Sequence, residues 1–329
     1  MEEFRALWVS EDANGNFDRK IIVRKTTVLE EKGVLIKVSY SSLNYKDALS
    51  STGNKGVTRR YPHTPGIDAA GTVEQSNSPD FKIGDPVIVT GYDLGMNTCG
   101  GFGGYINVPS GWVVPMPAGL SAEDSMTLGT AGFTAALAVH HLIRSGQKPD
   151  SGSILVTGAS GGVGCLTVAL LSVLGFEVIA STGKPGQHDL LKRLGAKTII
   201  DRAEVDDKTN KALLKPRWSG AIDTAGGNIL ATVLKACAEH GNVASCGNVA
   251  SPLLNTTVFP FILNGVNLLG VNSATTPMVL RKEIWLKLAN EWKIPHLAAI
   301  RQVTSIDGLE DWIQRILKGE VAGRVVVRH

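Results

Sequence analysis

Residues 154–164 read ILVTGASGGVG, a short apolar stretch with strand character followed by a turn that contains four glycines. A strand that leads into a glycine-rich turn and then a helix places backbone N–H groups and the helix N-terminus around an anion. The frame Ala159-Ser160-Gly161-Gly162-Val163-Gly164 matches the G-x-G-x-x-G pattern of dinucleotide-binding folds, with alanine at the first glycine position. The stretch therefore predicts a site for the phosphates of a dinucleotide.

The same glycines fit three other motifs less well. A Walker loop is absent because no Gly-Lys-Ser/Thr follows. A hydrolase nucleophile elbow, G-x-S-x-G, fits residues 158–162 and would recruit Asp223 with His240 or His296, but the glycines continue to Gly164, as a phosphate cradle requires. A short-chain dehydrogenase would need a Tyr-x-x-x-Lys pair after the loop, and all five tyrosines precede it.

Around the loop, short apolar strands alternate with amphipathic helices. The helix that follows it carries an apolar stripe at Val163, Leu166, Leu170, Leu171 and Leu174. Strands are predicted at 153–158, 176–182, 197–201, 220–226, 241–247 and 266–273. This alternation predicts an α/β fold of the Rossmann type, with a doubly wound parallel sheet and helices on both faces.

The part of the chain before residue 125 is rich in β-forming segments instead, and a helix is predicted at 121–143 with Ser121 as its N-cap. The C-terminal GRVVVRH reads as a strand that rejoins the first domain. We therefore predict a β-rich catalytic domain at 1–125 and 295–329, and a Rossmann dinucleotide-binding domain at 126–294.

Composition is that of an ordinary globular protein, with 43% hydrophobic and 19% charged residues. A net charge of +3, without a dense Lys/Arg run among aromatics, argues against a nucleic-acid partner. No apolar run approaches the length of a membrane span, and the N-terminus lacks a signal-peptide profile. The four cysteines have no C-x-x-C spacing, which is typical of free thiols. These features predict a cytoplasmic protein with no membrane partner.

The end of the second Rossmann strand discriminates between NAD and NADP. An acidic residue there would hydrogen-bond the ribose 2′-hydroxyl and repel a 2′-phosphate. The strand instead ends in Ser181-Thr182-Gly183-Lys184, whose hydroxyls can donate to phosphate oxygens and whose lysine supplies a positive charge. NADP(H) is therefore the predicted cofactor, the alternative being an ordinary solvated turn with a surface lysine.

Several segments occur in an order typical of a known family: SSLNYKDAL (41–49), PGIDAAGTV (65–73), KIGDPVIV (82–89), GGFGGYINV (100–108) and GTAGFTA (129–135). They resemble the medium-chain dehydrogenase/reductase superfamily, and more closely its zinc-free quinone oxidoreductase branch. With VTGASGGVG, GAIDTAGG and PFILNGVNLLGV, the chain is similar to the acrylyl-CoA reductase subgroup of that branch. The resemblance covers essentially the whole chain and implies that the β-rich domain is GroES-like.

The zinc ligands of this superfamily are replaced in the chain. Zinc-dependent members carry Cys where this sequence has Asn44, and Gly-His-Glu where it has Gly66-Ile67-Asp68. A tetrahedral catalytic zinc needs thiolate or imidazole ligands, which these positions do not offer. The cysteine-rich structural zinc lobe is absent as well, so no metal is expected.

Without a Lewis acid, reduction of an activated alkene is better served than oxidation of an alcohol. Hydride from C4 of the nicotinamide would add to the β-carbon of an enone or enoyl thioester, with negative charge developing on the carbonyl oxygen. The α-carbon then receives a proton. We expect an NADPH-dependent reductase of short α,β-unsaturated acyl thioesters, acrylyl-CoA foremost. An NADPH:quinone oxidoreductase and a non-enzymatic binding role of the nucleotide fold are the alternatives.

Three residues of the SSLNYKD segment are the predicted catalytic residues. We expect Asn44 to orient the nicotinamide or its ribose and Tyr45 to donate to the substrate carbonyl, while Asp47 holds the loop rigid. Arg59 and Arg60, near Lys55, form a basic cluster that could meet the phosphates of an acyl-CoA substrate, although such clusters are often only solvated surface.

The resemblance also implies further cofactor contacts and a homodimer. The cofactor contacts are Asn44, Thr130, Ser160, Gly161, Gly162, Val163, Ser181, Thr182, Lys184, Cys246, Gly247, Asn248, Phe261, Ile262, Leu263 and Arg324. Of these, Thr130 and Arg324 could equally be capping or surface residues. The dimer would join through the VNLLGV strand, whose edge would otherwise stay unpaired.

Overall fold

The fold is that of a computed structural model, which describes residues 2–329 and divides into two compact units. The first unit contains the described residues up to Thr130 together with Ala274–Ala289 and His296–His329. The second contains Ala131–Ser273 and Asn290–Pro295. Both units include segments distant in sequence, so the chain passes between them more than once.

The described chain contains fifteen strands and eight α-helices. The strands are β1 (Glu3–Glu11), β2 (Phe17–Lys25), β3 (Val34–Leu43), β4 (Asp68–Ser76), β5 (Pro86–Thr90), β6 (Tyr105–Val108), β7 (Val113–Pro115), β8 (Ile154–Val156), β9 (Val178–Thr182), β10 (Thr198–Asp201), β11 (Trp218–Asp223), β12 (Cys237–Ser245), β13 (Asn267–Gly270), β14 (Arg301–Ser305) and β15 (Arg324–Arg328). The helices are α1 (Tyr45–Ser51), α2 (Ala122–Arg144), α3 (Gly162–Val173), α4 (His188–Arg193), α5 (Gly227–Lys235), α6 (Phe259–Ile262), α7 (Met278–Ala289) and α8 (Leu309–Leu317).

The first unit is built on a sheet with the strand order β14-β15-β3-β4-β5-β7, in which β6 also pairs with β3. Strands β1 and β2 form a separate antiparallel hairpin. The buried face of the large sheet carries apolar residues that alternate along its strands, as in Val34, Ile36 and Val38 of β3. The C-terminal strand β15 pairs antiparallel with β3, so GRVVVRH does join this unit as the sequence predicts.

The second unit contains a six-stranded parallel sheet with the order β10-β9-β8-β11-β12-β13. Helices α3 and α5 pack on its strands, and their buried residues belong to the core. The predicted doubly wound parallel sheet is confirmed. Strand order reverses between β8 and β11, and in such sheets ligands bind beyond the carboxyl ends of the strands at this point.

Helix α2 has a capped start and a sharp kink. The backbone N–H of Asp124 donates to the Ser121 hydroxyl at 3.0 Å, which confirms the predicted N-cap. The kink lies at Gly129, with φ 51° and ψ −155°. A Cβ at this glycine would lie 2.6 Å from the carboxylate of Asp68, so a larger residue would collide with buried polar groups.

Helix α2 is also long and apolar enough, by length and composition, to cross a membrane, although the sequence pattern showed no such span. Most of its apolar stretch is buried inside the protein. This burial is typical of a core helix.

The segment Ala274–Ala289 lies in the first unit, whereas the sequence places it in the Rossmann domain. Arg281 of α7 explains its position. Its buried guanidinium donates to the carbonyl oxygen of Thr90 at 2.8 Å and to that of Ala274 at 3.1 Å. It also lies 4.5 Å from the centre of the Tyr92 ring. The contacts with Thr90 and Tyr92 join residues far apart in sequence, which the periodicity of the sequence does not show.

Candidate functional site

The glycine loop of the second unit is a tight turn between β8 and α3. A Cβ at Gly164 would lie 2.2 Å from the carbonyl oxygen of Gly158, so the helix can approach the strand only with glycine there. Gly161 is the N-cap of α3, and neither it nor Gly158 offers a side chain to cap the first-turn N–H groups. The predicted contact residues Gly161, Gly162 and Val163 are half-buried at this helix start. The loop thus fits the phosphates of a dinucleotide.

The serine of this loop is not arranged as a nucleophile. Ser160 is buried, and its hydroxyl pairs with the hydroxyl of Thr182 at 2.9 Å. Its partner within the described chain is therefore a β9 residue and not the histidine that a hydrolase triad needs. Ser160 instead ties the glycine loop to the end of the neighbouring strand.

At the end of β9, the buried hydroxyl of Ser181 has no hydrogen-bond partner among the described residues. Ser181 is 1% exposed. The backbone N–H of Lys184 donates to Thr182 at 3.2 Å, which folds the turn around this position. Burial lowers the pKa of the half-buried Lys184 ammonium. An unsatisfied buried hydroxyl beside a lysine fits an anionic ligand.

Arg202 is a second cation at this turn, and sequence reasoning missed it. Its guanidinium carbon lies 3.4 Å from where a Cβ of Gly183 would be, so the arginine packs over the turn. Arg202 directly follows β10, the strand that pairs with β9. The sequence does contain a signal for Arg202, because it directly follows a predicted strand and the carboxyl ends of neighbouring parallel strands lie at the same edge of the sheet. Together, Ser181, Lys184 and Arg202 fit a dinucleotide with a 2′-phosphate.

Hydrogen bonds join the loops after β8 and β11, at the point where the strand order reverses. Thr157 donates its hydroxyl to Asp223 at 2.6 Å, and the other carboxylate oxygen accepts from the Gly226 N–H at 2.7 Å. Burial raises the pKa of the Asp223 carboxyl above its ordinary value. The sequence suggests Asp223 only as the acid of a hydrolase; in the structure it holds two loops of the candidate cofactor site together.

The remaining predicted cofactor residues of this unit lie just after β12 and at the C-terminal end of α6. Cys246 is half-buried, and burial raises the pKa of its thiol to about 12. Gly247 packs against the backbone of Thr224, where a Cβ would lie 2.2 Å from the carbonyl oxygen, and Asn248 is exposed. Phe261 packs on the core, whereas Ile262 and Leu263 are 67% and 61% exposed.

In the first unit, one hydrogen-bonded network around the buried Asp68 contains the predicted residues Asn44, Asp47, Thr130 and Arg324. Asp68 accepts from Asn44 Nδ2 at 2.8 Å and from the Thr130 hydroxyl at 2.5 Å. Arg324 donates to Asn44 Oδ1 at 3.2 Å. Asp68 opens β4. The sequence indicates it only as a replaced zinc-ligand position, because its role as the centre of this network depends on residues distant in sequence.

Asp47 links the start of α1 to the start of β4. Its carboxylate accepts from the backbone N–H of Asn44 at 2.8 Å and from that of Ile67 at 2.8 Å. Burial and then the neighbouring Asp68 raise the pKa of the Asp47 carboxyl to about 7, although these N–H donors oppose the shift. Asp47 therefore changes its charge near neutral pH while holding the Asn44 loop.

The predicted substrate residues of this unit are on the surface. Tyr45 is 42% exposed at the first position of α1. Arg59 and Arg60 are both exposed, and the Arg59 backbone N–H donates to the Asn97 side chain at 3.1 Å. Lys55 differs from them because its ammonium pairs with Glu11 at 2.5 Å. Two of the three cations of the predicted cluster thus extend into solvent.

No group of three or more His, Cys, Asp or Glu side chains among residues 2–329 is arranged to hold a metal ion. At two of the positions where zinc-dependent members carry ligands, Asn44 and Asp68 instead hydrogen-bond to each other, and the histidine position is Ile67. The expected absence of a catalytic metal stays a prediction.

The chain matches two models of protein families. Residues 30–118 match the alcohol dehydrogenase GroES-like domain, and residues 162–288 match a domain described as zinc-binding dehydrogenase. The matched ranges fall on the β-rich part and on the part with the parallel sheet, respectively.

Among similar proteins, YhfP of Bacillus subtilis, named as a quinone oxidoreductase, is 44% identical over 99% of this chain and 98% of its own length. The acrylyl-CoA reductase AcuI of Ruegeria pomeroyi is 41% identical over 98% of both chains. The solved structure of YhfP with NAD bound has a TM-score of 0.97 over 100% of both chains. The yhdH oxidoreductase of Salmonella enterica in complex with NADP has a TM-score of 0.96 at 40% identity, over 99% of both chains.

Proposed function

The chain belongs to the medium-chain dehydrogenase/reductase family, in the branch of acrylyl-CoA reductases and quinone oxidoreductases, and on that basis we propose that it reduces an activated carbon–carbon double bond with NADPH. It is an NAD(P)-dependent oxidoreductase. The proposed reaction converts acrylyl-CoA to propionyl-CoA. The observation that carries it is the similarity to an acrylyl-CoA reductase along nearly the whole chain.

The preference for NADPH rests on the turn after β9. Ser181 offers a buried hydroxyl without a partner among the described residues, and Arg202 packs over Gly183 beside Lys184. No acidic residue ends β9 to repel a 2′-phosphate. Relatives have been solved with NAD and with NADP, and the proposed preference of this chain for NADPH is based on this turn.

When bound, NADPH would supply a hydride to the β-carbon of the substrate. Three residues of the chain then donate to the substrate or hold the loop that does so. The exposed Tyr45 hydroxyl can donate to the thioester carbonyl as negative charge develops there. Asn44 is held rigid at the start of α1, and Asp47 fixes the loop that carries both residues. Preorganised groups of this kind need no rearrangement during the reaction.

Quinone reduction is the second candidate function, because YhfP is named for it. The exposed Arg59 and Arg60 favour the acyl-CoA substrate, since they can meet CoA phosphates and a simple quinone has none. We further propose that the reaction needs no metal, since Asn44 and Asp68 supply neither thiolate nor imidazole.

We also propose a homodimer located in the cytoplasm. Strand β13 is an edge of the six-stranded sheet, and Leu268 on it and Ile262 and Leu263 before it are exposed. An unpaired edge with apolar neighbours supports pairing with a second copy. The four cysteines are free, which supports a reducing compartment.

The test is NADPH oxidation measured with acrylyl-CoA, crotonyl-CoA and a panel of quinones. We expect acrylyl-CoA to give the highest kcat/KM. Arg59→Glu with Arg60→Glu should raise the KM for acrylyl-CoA at least tenfold and leave that for quinones unchanged. Turnover of quinones with none of either thioester would replace this proposal by the quinone function.

The same assay tests the cofactor. Lys184→Glu should raise the KM for NADPH at least tenfold more than that for NADH, because a carboxylate would repel the 2′-phosphate. Lys192→Glu, on the exposed end of α4, is the matched control and should change neither. An equal loss for NADPH and NADH would show that the 2′-phosphate lies elsewhere.

A further inference from the structure

The carboxylate of Asp68 is saturated with hydrogen bonds in the interior of the first unit. Asp68 is fully buried. Its Oδ2 accepts from the Ser42 hydroxyl at 2.6 Å, from Asn44 Nδ2 at 2.8 Å and from the Thr130 N–H at 2.9 Å. Its Oδ1 accepts from the Thr130 hydroxyl at 2.5 Å. A carboxylate with four donors has one orientation and is a rigid anchor for each of them.

Arg324 holds the opposite end of the same Asn44 amide. It is 3% exposed, and its Nη1 donates to Asn44 Oδ1 at 3.2 Å. Other donors of this guanidinium engage the Thr127 carbonyl oxygen at 3.0 Å and the Ser42 hydroxyl at 3.0 Å. The amide therefore has a cation at its oxygen and an anion at its nitrogen. Rotating the amide by half a turn would place its NH₂ group against the guanidinium and its oxygen against the carboxylate, and both contacts would be repulsive.

In this arrangement, the Asn44 side chain can form only one further kind of hydrogen bond with a ligand. Its Nδ2 has two protons, which are directed at Asp68 at 2.8 Å and at Asp47 at 3.2 Å. Its Oδ1 has two lone pairs, of which Arg324 takes one. The side chain is half-buried, so the second lone pair can meet a ligand. Asn44 can accept a hydrogen bond from a ligand but has no proton left to donate.

We propose that Asp68, together with Arg324, is a positioning residue that fixes the Asn44 amide so that Asn44 meets the bound ligand as a hydrogen-bond acceptor. The partner of Asn44 is then a hydroxyl or amide N–H of the ligand. As far as the substrate is concerned this rests on the proposed function: the carbonyl oxygen of an enoyl thioester or a quinone is itself an acceptor, so Asn44 does not stabilise it. That task falls to a donor such as Tyr45.

The network is built from four elements that converge on one point. Ser42 is the last but one residue of β3, Asn44 precedes α1, Thr130 follows the kink of α2, and Arg324 opens β15. Gly129 makes the convergence feasible, because a Cβ there would lie 2.6 Å from both Asp68 Oδ2 and the Ser42 hydroxyl. A substitution at Asp68 therefore acts on Asn44 directly and on the fold around it, and the test must separate these effects.

The kinetic test is a double-mutant cycle with Asp68→Asn and Asn44→Ala. We expect Asp68→Asn to lower kcat about tenfold or more in the wild-type background and to have no further effect on kcat in the Asn44→Ala background. Ser41→Ala is the matched control, because this buried hydroxyl donates to the Asp68 carbonyl oxygen at 2.6 Å and not to the carboxylate. It should leave kcat unchanged. Additive effects of Asp68→Asn and Asn44→Ala would contradict the proposal.

A second measurement does not depend on any substrate. In protein labelled with [15N]asparagine, the Asn44 side-chain NH₂ signal is assigned by its loss in Asn44→Ala. We expect this NH₂ group to exchange with solvent at least tenfold faster in Asp68→Asn, and to a smaller degree in the milder Ser42→Ala. Unchanged exchange in both variants would overturn the positioning role. Absence of turnover with thioesters and quinones would instead refute the proposed function, and the exchange result would still decide the role of Asp68.

Discussion

At the scale of single residues, the carboxyl of Asp47 has a pKa raised into the neutral range. It has no exposed surface and lies beside Asp68, and these two causes raise its pKa to about 7. The folded protein therefore holds a proton on Asp47 more tightly than the unfolded chain, in which an aspartate has a pKa near 3.9. Stability contributed by this proton is present below about pH 4 and is lost as pH rises through about 7.

We predict that the advantage of the wild type over Asp47→Asn shrinks by roughly 2 kcal/mol between pH 5 and pH 8, because the asparagine cannot titrate. Urea unfolding at a series of pH values measures it. Asp12→Asn is the control, since hydrogen bonds from Asn16 lower the pKa of that carboxyl and keep it ionised across this range. A constant difference between wild type and Asp47→Asn from pH 5 to pH 8 would contradict the prediction.

At the scale of elements, the junction of β8 and α3 depends on close approach of two backbones. A Cβ at Gly164 would lie 2.2 Å from the Gly158 oxygen and 2.7 Å from the Ala159 Cα, and both contacts are with backbone that cannot rotate away. The helix would have to move outward from the strand. Its N-terminal N–H groups would then leave the position in which they can face a phosphate.

Gly164→Ala should therefore weaken NADPH binding at least tenfold and lower the free energy of unfolding by about 1–3 kcal/mol. Fluorescence titration with NADPH and chemical denaturation measure the two effects. Gly186→Ala provides the comparison, because nothing lies within 4 Å of a Cβ at that position, which belongs to the same unit. If both variants bind NADPH like the wild type, the glycine loop does not hold the phosphates.

At the scale of the whole molecule, the sheet edge at β13 is the surface that the proposed dimer would use. Within the described chain, β13 pairs only with β12. Leu268 on β13 is 37% exposed, and Ile262 before it is 67% exposed. A charge on an edge strand opposes pairing with another strand.

We predict that Leu268→Lys converts a dimer into a monomer of 34.9 kDa, as measured by sedimentation velocity at micromolar concentration. Val279→Lys is the matched control: this valine is 84% exposed on α7, away from the β13 edge strand in sequence, and its replacement should leave the dimer intact. A wild type that sediments as a monomer would refute the proposed dimer itself.

The sequence by itself determined the features that depend on local order along the chain. ILVTGASGGVG identified the strand, the turn and the helix start, since each needs only neighbouring residues and their periodicity. Ser181 and Lys184 were predicted from their positions at the end of the next strand and in the turn after it. The same local logic predicted the parallel sheet, its six strands, and the Ser121 cap of α2.

Only the tertiary structure decided which distant residues meet. Asp68 bonds to Thr130, 62 positions away, and Arg324 reaches Asn44 across 280 positions. Arg281 likewise draws its segment into the first unit through Thr90. The physical reason is that burial makes unpaired polar groups costly, so these buried side chains form hydrogen bonds with whichever groups the fold places beside them, however distant in sequence. Periodicity carries no record of such partners, and with them came the orientation of the Asn44 amide.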